Sequence, residues 1–261
     1  MWRWPELWRP AARRDKISDR LWEQALAQLP YCQALDRPAQ ARLRKLASMF
    51  LHTKTFEGAA GLIPTDSMRA CIAVQACVLI LNLDLDYYAG WHAVILYPGD
   101  FRVHREEMDE SGVVHRWQED LSGEAWEQGP VILSWDTAAA PADGRTNIVL
   151  HEFAHKLDML NGRADGCPPL PAGISANDWT RDFGSAYQSF CSRLDHGLPV
   201  RIDDYAAESP AEFFAVLSEA FFLGPRVVSA DFPKLYRHLA GFYCQDPLRV
   251  LPEKSKQGRL A

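Results

Sequence analysis

Two histidines four residues apart, with a glutamate directly after the first, give this sequence one run with the spacing of a metal site: His151-Glu152-Phe153-Ala154-His155. On a helix, residues i and i+4 stand one turn apart on the same face, so both imidazoles can reach a single ion. Neutral imidazole nitrogen suits zinc, which in catalytic sites takes three protein ligands and leaves the fourth position to water. Water held in that way is acidic enough to supply hydroxide near neutral pH, and Glu152, beside the first ligand, can take the proton. The chemistry this arrangement predicts is peptide hydrolysis.

The competing explanation is an ordinary amphipathic helix carrying two solvated histidines and an acid. The neighbours argue against it. Ile148, Val149, Leu150, Phe153, Ala154, Leu157 and Leu160 surround the pair and predict a mostly buried helix. Unpaired His and Glu side chains are costly to desolvate in such a place. Thr146 is the expected cap and Gly162 the expected end, which gives about four turns with both histidines well inside. Lys156 is a departure, because the motif more often has an uncharged residue after its second histidine.

The third ligand must come from elsewhere. In zinc peptidases whose helix is cut short by glycine, another histidine follows six residues after the second; Asp158 and Asn161 hold those places, so that class is excluded. Asp158 shares the histidine face but lies a turn beyond the ion, which fits a carboxylate that steadies a ligand better than a ligand itself. Further on, Ser209, Pro210 and Glu212 fit the cap, first and third residues of a helix that Gly224-Pro225 closes. Glu212 is the better ligand candidate, yet its position is also that of the returning acid of a capping box. Glu219, on the same face, is either the fallback ligand or a carboxylate that orients a metal-bound histidine.

The runs around His151–His155 (V-L-H-E-F-A-H-K-L-D) and around Glu212 (Y-A-A-E-S-P-A-E-F-F-A-V-L-S-E-A-F-F) resemble the Mlc titration factor A family of bacterial zinc-dependent peptidases. The similarity extends from the Trp-Pro start through the stretches at 91–98 and 129–133 to Tyr243-Cys244-Gln245-Asp246-Pro247. It implies His151, His155 and Glu212 as ligands of one Zn2+ per chain, Glu152 as general base, and Tyr205 as a phenol that stabilises the oxyanion. Tyr205 otherwise has only a packing role under its loop. A fainter similarity, in the Tyr-to-Glu spacing, is to the catalytic domain of the anthrax lethal factor type. The resemblance implies an aminopeptidase-like activity on small peptides. It also implies binding to an Mlc-like transcriptional repressor of sugar uptake. The alternative is a non-enzymatic regulatory protein that sequesters the repressor, its metal site structural or vestigial.

The elements around the motif predict an α+β fold, mostly helical, with a small mixed sheet of three to five strands beside the active helix, and the resemblance implies that the fold is zincin-like. Helical spacing marks residues 17–29, 37–53, a nearly all-apolar stretch from Asp66 or Ser67 to Leu81, 177–195 and 232–244. Strands are expected at about 92–97, 100–105, 113–118 and 130–135, with a solvated acidic tip at 106–110. His92, His104 and His115 fall on these strands without helical partners and stay outside the metal site. By resemblance to zinc peptidases, one strand of this block lines the cleft and pairs with extended substrate. The irregular stretch at 162–171 is a cleft wall, a lid or a plain connector.

With 261 residues and 48% hydrophobic content, the chain can bury a sizeable core, expected as one domain over 16–252. A Trp- and Arg-rich arm over 1–15 reads as a strap on the body in preference to a membrane-surface or partner-binding arm, because its prolines prevent a continuous amphipathic helix; residues 253–261 read as a frayed tail. The net charge of −6 argues against direct nucleic-acid binding. Six cysteines lack metal spacing, and five lie in apolar or helical settings, as reduced core thiols do. No secretory signal and no run long enough to span a bilayer is present, so the expected location is cytoplasmic.

Overall fold

A computed structural model of the chain describes residues 17–108, 114–121, 123–125, 129–139 and 146–251. The arm at 1–15, the tail at 253–261 and the end of the acidic tip lie outside the described residues. In chain order the first elements are α1 (Asp19–Leu26), α2 (Pro30–Ala34), α3 (Arg37–Thr53), β1 (Thr55–Gly58) and α4 (Asp66–Leu79). There follow β2 (Ala93–Tyr97), β3 (Phe101–Met108), β4 (Val114–Leu121), β5 (Gly123–Ala125), β6 (Val131–Ser134) and α5 (Trp135–Ala139). The chain continues with α6 (Ile148–Asp158), α7 (Ala176–Asp195), α8 (Pro210–Leu223), α9 (Pro225–Asp231), α10 (Pro233–Tyr243) and α11 (Pro247–Val250). The fold is a zincin-like α+β fold: helices dominate, and a small mixed sheet lies beside α6.

Helix α4 is central because its sequence offers almost no polar face; every residue from Ala70 to Leu79 is buried. It packs between α1 and α3 on one side and α6 on the other. Its one interior amide, Gln75, uses both ends: Nε2 donates to the carbonyl of Cys71, and Oε1 accepts from Asn147 Nδ2 at 2.5 Å.

Four strands make the main sheet in the order β1-β2-β6-β5, the first three parallel and β5 antiparallel to β6. Crossing over through α4 allows β1 and β2 to run parallel. Val94, Leu96, Val131 and Leu133 are fully buried in the two central strands. The expected block of strands therefore divides. Among the described residues, β3 and β4 pair only with each other, from Phe101↔Leu121 to Met108↔Val114, as a separate hairpin. Trp135, expected to end the last strand, instead begins α5. The short edge strand β5 has no counterpart among the expected strands: three residues are too few for a visible alternation.

The active helix α6 buries ten of its eleven residues. Phe153 on its back enters an aromatic cluster with Phe50, Tyr88 and Trp91, at centroid distances of 5.7, 5.3 and 5.7 Å. Its cap is Asn147, not Thr146: the Asn147 Oδ1 accepts from the Leu150 N–H at 2.9 Å, and the same amide holds Gln75. A short 3-10 turn, Met159–Asn161, extends the helix to Gly162, whose φ of 96° favours glycine. Gly224 ends α8 as expected, but Pro225 at once starts α9. All six cysteines are free, yet only Cys32, Cys71 and Cys77 are buried. Cys191 is half-buried on α7, and Cys244 is exposed at the left-handed end of α10, so neither is a core thiol. Among the described residues no helix is long and apolar enough to cross a membrane.

Substituting Asn147→Ala removes a cap and leaves Gln75 Oε1 buried without its donor. The expected cost is about 1–3 kcal/mol in urea unfolding. Thr146→Ala, which removes no cap, should stay within about 0.5 kcal/mol of the parent.

Candidate active site

Helix α6 presents His151 and His155 one turn apart, each 7% exposed, with their Nε2 atoms 3.2 Å from one another. Glu212, on the first turn of α8, brings its Oε2 to 2.9 Å from His151 Nε2 and 3.2 Å from His155 Nε2. A tetrahedral ion with bonds of about 2.0–2.1 Å would hold neighbouring ligand atoms about 3.3 Å apart, close to this triangle. One proton cannot bridge three converging lone pairs, whereas one divalent cation can. The donor set of two imidazole nitrogens and a carboxylate oxygen therefore fits a metal ion.

The capping alternative for Glu212 is settled by its two ends. Its backbone N–H donates to Ser209 Oγ at 3.1 Å, which is half of a capping box; its carboxylate turns to the histidines instead of back to the cap. Burial pushes the Glu212 carboxyl up, but the bonds from His151 and His155 outweigh it and hold the group at about 2. Burial alone would lower His151. Its bonds to Glu212 and Glu219, with the charges of Glu219 and Glu152, raise it well above the ordinary histidine value. The pocket thus favours positive charge.

Behind the cluster, Glu219 Oε1 lies 2.7 Å from His151 Nδ1, and its other oxygen accepts from the Asn147 N–H. It grips the far side of the ring and so aims Nε2 at Glu212; it stands outside the group of three. Asp158 is fully buried, and its Oδ2 accepts from the Gly166 N–H at 2.8 Å. Burial raises its carboxyl to about 7, while the Gly166 bond and His155 act the other way. Among the described residues, His155 Nδ1 and Asp158 Oδ1 are buried without hydrogen-bond partners.

Gly166 (φ 78°) joins the two helices that carry His151, His155 and Glu212: a Cβ there would come within 2.6 Å of the Pro210 carbonyl oxygen at the start of α8. Trp179 Nε1 donates to its carbonyl at 2.9 Å. The loop after α6 is therefore tied at Gly166 to α6, α7 and α8.

On the front, Glu152 is 4% exposed, and burial raises its carboxyl to about 8 against the opposing charge of His151. Edge strand β5 crosses directly over it; a Cβ on Gly123 would lie 2.7 Å from Glu152 Cγ and 2.8 Å from Cδ. Tyr205 sits in the 3-10 turn Asp204–Ala207, 44% exposed, its ring centroid 6.0 Å from that of His151. His92 lies outside the cluster. Four positions that support the site escaped the sequence reading: Asn147, Gln75, Gly123 and Gly166. Only Gln75 left a trace, as the single polar residue in an apolar run.

A mixed sheet beside a helix bearing H-E-x-x-H, with a glutamate delivered by a later helix, defines a metallopeptidase-type site. The chain belongs to the glucose-regulated metallo-peptidase M90 family, whose pattern matches residues 2–244. It is 38% identical over 261 residues to the Mlc titration factor A of Klebsiella pneumoniae (strain 342), covering 98% of this chain and 97% of that protein. Over 234 residues it is 39% identical to the proteins of the same name from Yersinia pestis (strain Pestoides F) and Yersinia pseudotuberculosis (serotype O:1b, strain IP 31758). Those alignments cover 88% of this chain and 86% of each relative.

The two glutamates should separate in stability. Glu219→Ala leaves His151 Nδ1 and the Asn147 N–H, both buried, without an acceptor, an expected cost of about 1–3 kcal/mol for each group. Glu212 faces the cleft, so Glu212→Ala should cost less when both chelator-treated variants are unfolded in urea.

Proposed function

We propose that this chain is a cytoplasmic zinc-dependent peptidase, aminopeptidase-like on short peptides, with His151, His155 and Glu212 as ligands of one Zn2+. The observation that carries the reading is the triangle of donor atoms with Glu152 beside it and a half-open front. When bound, zinc supplies a Lewis acid that polarises a carbonyl and acidifies water. Everything else falls to the chain. Glu152 takes a proton from the attacking water and returns it to the leaving amine. Tyr205 donates a hydrogen bond from its phenol O–H to the oxyanion as charge develops on the substrate and keeps its proton. Glu219, bonded at Nδ1 of His151, keeps the Nε2 lone pair toward the ion. Asp158 steadies the end of α6 next to His155. Strand β5, at the edge of the sheet and beside Glu152, pairs with the extended peptide backbone.

The name of these relatives, Mlc titration factor A, supports a second role. We infer that this chain also binds an Mlc-like repressor of sugar uptake, through protein contact rather than contact with nucleic acid. The rival reading is a purely regulatory protein that sequesters the repressor, with a structural or vestigial metal.

Purified protein should contain about one zinc per chain and hydrolyse members of a panel of amino-acid amides and short peptides, with loss on chelation. Glu152→Gln should lower turnover about 10²–10⁴-fold with zinc retained. If the variant still captures an Mlc-like repressor, the two roles are separable; an undiminished turnover would leave the regulatory reading alone. His155→Ala should shed zinc, and Glu212→Ala should weaken zinc binding more than Glu219→Ala, for which about 10–100-fold is expected. Tyr205→Phe should reduce turnover about 10²-fold at constant zinc content; unchanged turnover would return Tyr205 to a packing role.

A further inference from the structure

The edge strand that covers the site is too short to hold its own position. β5 has three residues and, among the described residues, one pairing partner, β6, with no strand on its other edge. Two side chains of α6 meet the β5–β6 hairpin, and both come from the same helical face, since Glu152 and Lys156 are related as i and i+4. At the start of β5, Gly123 lies against Glu152 so closely that a Cβ would fall 2.7 Å from Cγ and 2.8 Å from Cδ. Where the chain enters β6, Lys156 Nζ donates to the carbonyl of Gly129 at 2.8 Å. Its ammonium also lies 5.0 Å from the centre of the Trp91 ring. Lys156 is only 3% exposed, a costly place for a cation unless its bond to the hairpin has a use.

We propose that α6 keys the edge strand to the site through these two contacts. Gly123 is then a positioning residue for the Glu152 carboxylate, and Lys156 a positioning residue for the strand edge that receives substrate. The inference rests on the peptidase reading above. It also accounts for the lysine after the second histidine, where an uncharged residue is more usual. A methyl group at position 123 would meet the outer atoms of a flexible side chain rather than backbone. Glu152 yields before the strand does, so the damage falls on proton transfer and not on folding.

The test compares zinc content, melting temperature, kcat and KM of the full-length wild type with those of Gly123→Ala, Lys156→Met and Lys156→Arg, on the best peptide of the panel. Gly123→Ala should keep its zinc and melting temperature and lose kcat about tenfold or more, with KM within about twofold, as expected of a displaced base. Lys156→Met should raise KM about fivefold or more with a smaller change in kcat, and Lys156→Arg should restore KM to within about twofold. Wild-type kcat in Gly123→Ala, or wild-type KM in Lys156→Met, overturns the keying while the peptidase reading stands. Loss of zinc or of folding in either variant also overturns it, since the residue is then structural. A wild type without chelator-sensitive hydrolysis overturns both.

Discussion

The constraint on which this structure depends is that its most deeply buried functional helix carries ionisable groups that cannot be buried alone. Helix α6 hides His151, Glu152, His155, Lys156 and Asp158 among Val149, Leu150, Phe153, Ala154 and Leu157. An isolated buried charge costs several kcal/mol, so each of these groups demands a particular neighbour. The neighbours come from different parts of the chain. Glu212 and Glu219 arrive on α8, the Gly129 carbonyl at the mouth of β6, the Gly166 N–H in the loop after α6. Satisfying α6 therefore fixes where α8, the edge hairpin and that loop must lie.

The same polar set is hard to explain by stability alone. Apolar residues of similar volume would commonly be neutral or better in such positions, because desolvation offsets much of the attraction within a buried ion pair. The aromatic cluster behind Phe153 and the rings of Phe213 and Phe214 already bury α6 and α8 without help from the histidines. What the polar set adds is direction: Glu219 fixes the tautomer and aim of one imidazole, Asn147 ties that carboxylate to the helix start, and Gln75 ties Asn147 to the central helix. A three-link chain of hydrogen bonds thus connects α4 to the ring of His151.

How much of this was legible in the sequence follows from how local each signal is. The pair His151 and His155 needs only helical periodicity, and the apolar stripes of α3, α4, α7 and α10 are equally local, so those elements emerge near their actual limits. Glu212 and Glu219 are seven residues apart on one face. No periodicity decides between them; the choice depends on how far α8 slides along α6, a tertiary fact. Thr146 and Asn147 compete as caps on equal local terms, and Gln75, from a helix 72 positions away, decides for Asn147. The sheet was the least legible part. Strand lengths near β2 and β6 are visible from their apolar runs, but β5 is too brief to leave a pattern. The separation of the β3–β4 hairpin from the main sheet is a matter of pairing, which composition does not encode.

The site is consequently rigid behind and thin in front. His151 and Glu212 are 61 positions apart in sequence, and their meeting depends on α6 and α8 being packed, so the metal-type cluster forms only with the core itself. The front has no comparable support. It consists of a three-residue strand, a 3-10 turn carrying Tyr205, and the half-exposed edge of Glu212. Short elements with few buried contacts open at lower free energy than packed helices do. On the peptidase reading proposed above, these elements lie on the side where a peptide would enter, so the cleft could admit it without disturbing the geometry of the three donor atoms. That division also explains why the front is held to the back by single-residue devices, a missing Cβ at Gly123 and one ammonium at Lys156. A larger interface there would close the face of the cluster that, among the described residues, the core leaves free.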